Sequence, residues 1–141
     1  MENEQNQSTG QSIGIKVVLP LDYEAALTHT IEALKTEGFG VLTEIDVKET
    51  MKKKLGIEYS PYKILGACNP TLANRALQIA PEIGLLLPCN VTVRLLDHGQ
   101  CEISLVDPLV MLGVIASPLL AEVAHEAKTK LERVAALLQN H

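Results

Sequence analysis

The sequence predicts an α+β domain, an antiparallel sheet with an N-terminal helix and a long C-terminal helix packed on it. Three patterns carry this expectation. Apolar residues recur at helical spacing over 22–37 and again over 118–139. Between them, residues 85–96 and 100–106 alternate as two arms of a hairpin around Asp97-His98-Gly99. Hydrophobic residues make up 47% of the 141-residue chain and charged residues 21%, a balance that supports one folded core.

In chain order, residues 1–10 are polar and read as a disordered tail, which leaves 11–141 as a single α+β domain. Residues 12–19 are β-branched and apolar and read as a strand that Pro20 ends. Tyr23, Ala26, Leu27, Ile31 and Leu34 form the apolar stripe of the first helix, with Glu24 suited to its positive end. Gly38 fits the left-handed cap, and Phe39 can fold back on the last turn before a second strand over 39–45. Asp46 with Glu49 resembles a capping box and starts a short helix to Leu55, with Val47, Met51 and Leu55 on one face.

Residues 62–68 read as a third strand. Asn69 then caps a helix with Pro70 at its first position, where a missing N–H has no partner to lose. Leu72, Ala73, Ala76 and Leu77 form its expected buried face, and Pro81 stops it. After the hairpin, Ser117-Pro118 opens the last helix, whose stripe runs through Leu120, Val123, Ala124, Ala127, Leu131, Val134 and Leu138.

Composition narrows the function classes. Three Tyr, one Phe and no Trp leave few rings for bases to stack on, and a net charge of −5 opposes phosphate binding. No nucleic-acid partner is expected. The most apolar stretch, 109–124, contains Ser117, Pro118 and Glu122 and falls short of the roughly 20 residues a bilayer needs, so no membrane partner is expected. Glu2 and Glu4 with no early Lys or Arg argue against a signal peptide. A reducing cytoplasm and three free thiols follow.

Chemistry concentrates at Cys68-Asn69-Pro70. Cys68 lies one residue ahead of a helix cap, where free N–H groups favour an anion, so it could serve as nucleophile, redox thiol or metal ligand. The other reading is a small apolar plug at the end of a buried strand. Cys89 follows Pro88 and could approach Cys68 if their strands are neighbours. Cys101 falls opposite Leu95 if the hairpin turns at His98, far from Cys89, and belongs to the core. No Cys-x-x-Cys, His-x-x-x-His or acidic ligand cluster is present, so neither metal nor cofactor can be named. His29, His98, His125 and His141 are scattered and read as surface residues. Lys48, Lys52, Lys53 and Lys54 read as a solvated face rather than an anion site. The run 109–116 is continuously apolar, which fits core burial as well as a dimer interface or a pocket wall.

Four blocks carry a resemblance: Gly38-Phe39-Gly40-Val41, Gly66-Ala67-Cys68-Asn69-Pro70, Gly84-Leu85-Leu86-Leu87-Pro88-Cys89-Asn90-Val91, and Asp107-Pro108. In this order they resemble the signature blocks of the bacterial and archaeal domain of unknown function 302. The resemblance implies a β-α-β-sheet-α domain similar to TATA-box-binding-protein-like folds, and a homodimer. It brings no established activity, and fold alone does not license DNA binding. The expectation is therefore a cytoplasmic, dimeric module that binds a small molecule or metal near Cys68, Asn69 and Cys89, without assembled catalytic machinery. Alternatives are a thiol or redox enzyme using Cys68, and a protein-interaction subunit docking through 109–116.

Overall fold

The computed structural model describes residues 12–140; the tail expected over 1–10 and the terminal His141 lie outside the described residues. Five strands form one sheet: β1 (Gly14–Leu19), β2 (Gly40–Asp46), β3 (Tyr62–Cys68), β4 (Cys89–Leu95) and β5 (Cys101–Val106). Their order across the sheet is β1-β5-β4-β3-β2, and every neighbouring pair is antiparallel. The helices are α1 (Tyr23–Thr36), α2 (Val47–Leu55), α3 (Pro70–Ile79), α4 (Pro108–Leu112) and α5 (Pro118–Gln139).

The expected caps form. Asp22, Asp46, Asn69 and Ser117 each accept a hydrogen bond from a backbone N–H three residues on. Gly38 takes φ 84°, and the Phe39 N–H donates to the Leu34 carbonyl oxygen at 3.0 Å. At the hairpin, both His98 (φ 65°) and Gly99 (φ 71°) are left-handed, and Leu95 pairs with Cys101.

Three expectations change. The first hairpin arm begins at Cys89 instead of near Leu85, because 81–86 form a 3₁₀ turn between Pro81 and Pro88, two residues without an N–H for a strand ladder. The Leu87–Pro88 peptide is cis. In α2 no residue is buried, and Leu55 is 64% exposed, because the helix projects from the β2–β3 edge with its lysines in solvent. In α3, Leu72 and Ala76 are buried while Leu77 remains 38% exposed.

Two apolar clusters share α5 as a spine. The larger packs α1 and the C-terminal half of α5 on one sheet face, joining Leu131, Val134 and Leu138 to Leu65, Val91, Val93, Ile103 and Leu105. Alternation sends Lys16, Thr92, Arg94, Glu102 and Ser104 to the other face. The smaller cluster is built from helices and turns: Leu72 and Ala76 of α3, Ile83, Leu112 of α4, and Leu120, Val123, Ala124 and Ala127 of α5. The run 109–116 therefore contributes to a core, with Leu112 buried and Leu109, Met111 and Ile115 packed against it, while Val110 and Val114 stay exposed. The seam between the clusters is where a cavity opens.

Candidate functional site

The cavity encloses about 310 Å³ at the end of the sheet where β3 leaves it and β4 enters. Phe39 and Ala67 face it from the larger cluster; Leu72, Ala76, Leu112 and Val123 face it from the smaller. Exposed Leu42 and Leu77 mark its mouth. Leu42 gets there because the β2–β3 register shifts between Val41 and Thr43, leaving Leu42 as the unpaired residue of a bulge. Each of the four sequence blocks supplies a wall: Phe39, then Ala67 to Asn69, then Leu87 to Cys89, then Pro108.

The three candidate residues, Cys68, Asn69 and Cys89, are brought together here. Cys89 is the register partner of Ala67, so Cys68 lies diagonally across from it. Both thiols are half-buried and unbridged, whereas Cys101 is fully buried opposite Leu95 on the far part of the sheet. Burial pushes the Cys89 thiol up from 9.0 to about 11, with electrostatic repulsion from the neighbouring thiol group of Cys68 as the second cause. Cys101 is pushed up by burial and then by Asp22.

Asn69 has a different occupation. Its Oδ1 accepts from the Leu72 N–H and its Nδ2 donates to the Glu37 carbonyl oxygen, both at 3.2 Å. The amide thus joins the start of α3 to the end of α1. Gly66 is also architectural, since a Cβ there would collide with Thr43 Oγ1 and lie 2.8 Å from Pro88 Cγ. Asp107 caps α4 through Oδ1, accepting from the Leu109 N–H at 2.9 Å, and holds Lys128 through Oδ2 at 3.0 Å.

Among the described residues, the polar side chains on the cavity wall are Thr43, Cys68, Asn69 and Cys89, and no charged side chain lines it. No cluster of three or more His, Cys, Asp or Glu with metal-holding placement occurs among them either. The soft-metal donors on the wall are the two thiols and the Met111 thioether. Met111 belongs to the run 109–116, for which a pocket wall is one of the expected roles. Thr43 carries no such signal, since the bulge that turns it has no residue signature. His29 and His125 lie on α1 and α5 and His98 on the hairpin turn, away from the cavity lining.

A family model for the domain of unknown function DUF302 matches residues 15–138. A crystal structure of an uncharacterized conserved DUF302 protein from Bacillus stearothermophilus is similar, with 31% sequence identity and a TM-score of 0.79. That match covers 92% of this chain and 98% of the other. No curated protein matches the chain. Among the described residues, no helix is long and apolar enough to cross a membrane.

Proposed function

The chain belongs to the DUF302 family, whose name assigns no activity, and we propose from the cavity itself that it is a binding module for a small, uncharged, apolar molecule. One observation carries this reading: four blocks distant in sequence converge on a single apolar space of about 310 Å³. That volume lies at the small end of ligand sites. A carboxylate or phosphate ligand would find no cationic side chain on the wall, and its desolvation would go uncompensated. A neutral apolar ligand gains by burial at about 25 cal/mol per Å².

The reading includes a cytoplasmic homodimer. Exposed Leu42 and Leu77 at the mouth support a partner surface there, and three unbridged cysteines accord with a reducing compartment. Sedimentation equilibrium tests the dimer; a monomer across the micromolar range removes that part.

N-phenyl-1-naphthylamine, a neutral apolar fluorophore, tests the site. The expected result is saturable binding with blue-shifted emission, abolished by Ala73→Phe, which fills the cavity from α3. Ala76→Leu provides a milder filling if Ala73→Phe melts early. Absence of saturable binding, or binding that both variants leave intact, overturns the reading.

A further inference from the structure

We propose that Cys68 and Cys89 form a reversible dithiol–disulfide pair in the cavity wall, oxidised by exchange with low-molecular-weight disulfides of the glutathione class. The inference shares the cavity with the binding reading but does not require a ligand to occupy it.

The register supplies the geometry. Cys89 lies opposite Ala67 and Cys68 is one residue further along β3. An interstrand spacing of about 5 Å and a rise of about 3.3 Å put the two Cα atoms about 6 Å apart on the diagonal. Disulfides span Cα separations of about 4.4–6.8 Å. Neighbours within a strand alternate faces, which would point Cys68 away from Cys89. Cys68 nevertheless lines the same cavity as Cys89, at the strand end where the chain passes from its Gly40 pairing into the Asn69 cap, so the bridge needs only a local turn of the last residue of β3. Cys101 is excluded as a competitor, being fully buried and paired with Leu95, six residues along β4 from Cys89.

The environment selects the chemistry. An apolar wall without a cation penalises thiolates and favours neutral products. A disulfide is neutral, as is the dithiol. A two-thiolate complex of a monovalent soft metal would bury a net negative charge instead. Burial raises Cys89 and disfavours it as the first nucleophile, which leaves the first attack to Cys68 and the second to Cys89. The Cys68 thiolate forms a bond to one sulfur of RSSR, breaking its S–S bond, and RS⁻ leaves and takes up the proton that Cys68 released. Cys89 then gives its proton to solvent and attacks the Cys68 sulfur, displacing the second RS⁻, which is protonated in turn. The sum is protein dithiol plus RSSR giving protein disulfide plus two RSH. Two electrons pass from the protein thiols to the small disulfide.

The full chain, equilibrated in buffers of graded glutathione to glutathione-disulfide ratio, is acid-quenched, alkylated and mapped by peptide mass spectrometry. The expected result is a Cys68–Cys89 cross-linked peptide that rises and falls reversibly with the ratio, with Cys101 unmodified in native protein. Cys89→Ser should leave Cys68 as a stable glutathione mixed disulfide, and Cys68→Ser should slow oxidation of Cys89 at least tenfold. Persistent mixed disulfides on the wild-type chain, cross-links between copies, or no reaction at either thiol each overturn the proposal. Dye binding by Cys68→Ala/Cys89→Ala separates the two readings, since that variant cannot exchange but retains the cavity.

Discussion

Asn69 and Glu37 join the start of α3 to the end of α1: the Asn69 Nδ2 donates to the Glu37 carbonyl oxygen at 3.2 Å while its Oδ1 caps α3. Gly38 stands beside them at φ 84°, and a Cβ on it would sit 3.0 Å from Asn69 Nδ2. Asn69→Ala removes both bonds and leaves a backbone donor and acceptor unsatisfied. The expected cost is about 1–2 kcal/mol in urea denaturation. Asn69→Asp keeps the cap, loses the donor to Glu37, and should cost less. Wild-type stability in Asn69→Ala would show the link to be dispensable.

Gly66 is required by its neighbours rather than by its own backbone. Thr43 and Pro88 occupy the space of its absent side chain from β2 and from the entry to β4. Gly66→Ala is expected to destabilise by about 1–3 kcal/mol, the usual penalty for overpacking. Thr43→Ala should recover part of that loss in the double variant, because Pro88 still stands in the way. A double-mutant cycle reads the coupling directly; purely additive effects would deny the contact.

The parts of this fold that local chemistry dictates were readable in the sequence. Asp22, Asp46, Asn69 and Ser117 cap helices through their own side chains, and the α5 stripe follows from a period of 3.6 residues. Cys101 opposite Leu95 followed from counting outward from one turn. What was not readable depends on distant partners. The run 109–116 has no periodicity to say which residues face a core, and only packing against α3 and α5 buries Leu112 while leaving Val114 exposed. Val47, Met51 and Leu55 were correctly placed on one helix, but the sheet edge covers Val47 and Met51 only in part and leaves Leu55 exposed. Cys68 and Cys89 needed the β3–β4 pairing to become neighbours, and the cavity needed two clusters to leave a seam. Asn69 looked like both a cap and a ligand; the Glu37 carbonyl oxygen shows how its remaining polar end is used.

Asp107 ties the end of β5 to α5 as Asn69 ties α1 to α3. One carboxylate oxygen accepts from the Leu109 N–H and the other meets Lys128 Nζ at 3.0 Å, while the Asp107 N–H donates to the Ile13 carbonyl oxygen. Asp107→Asn should preserve the cap and lose only a partly exposed ion pair, costing less than about 1 kcal/mol. Asp107→Ala also uncaps α4 beside the cavity and should cost about 1–2 kcal/mol. Equal losses in the two variants would assign the whole effect to the ion pair.

Alkaline stability tests the burial of the cavity thiol. Cys89 is raised from 9.0 to about 11 by burial and then by Cys68, and Tyr23 from 10.0 to about 12 by burial and then by Asp46. In each case the unfolded chain loses its proton first as pH rises. Between the two pKa values the folded state therefore binds more protons, and the stability present below the unfolded value drains away. The urea midpoint under reducing conditions should hold to about pH 9 and then fall, with the Cys89 contribution lost by about 11 and that of Tyr23 by about 12. Cys89→Ala should lessen the first part of that decline, to which Cys101 also contributes, and Tyr23→Phe the second. A decline between pH 9 and 11 that is unchanged in Cys89→Ala would mean that this thiol meets water as freely in the folded chain as in the unfolded one.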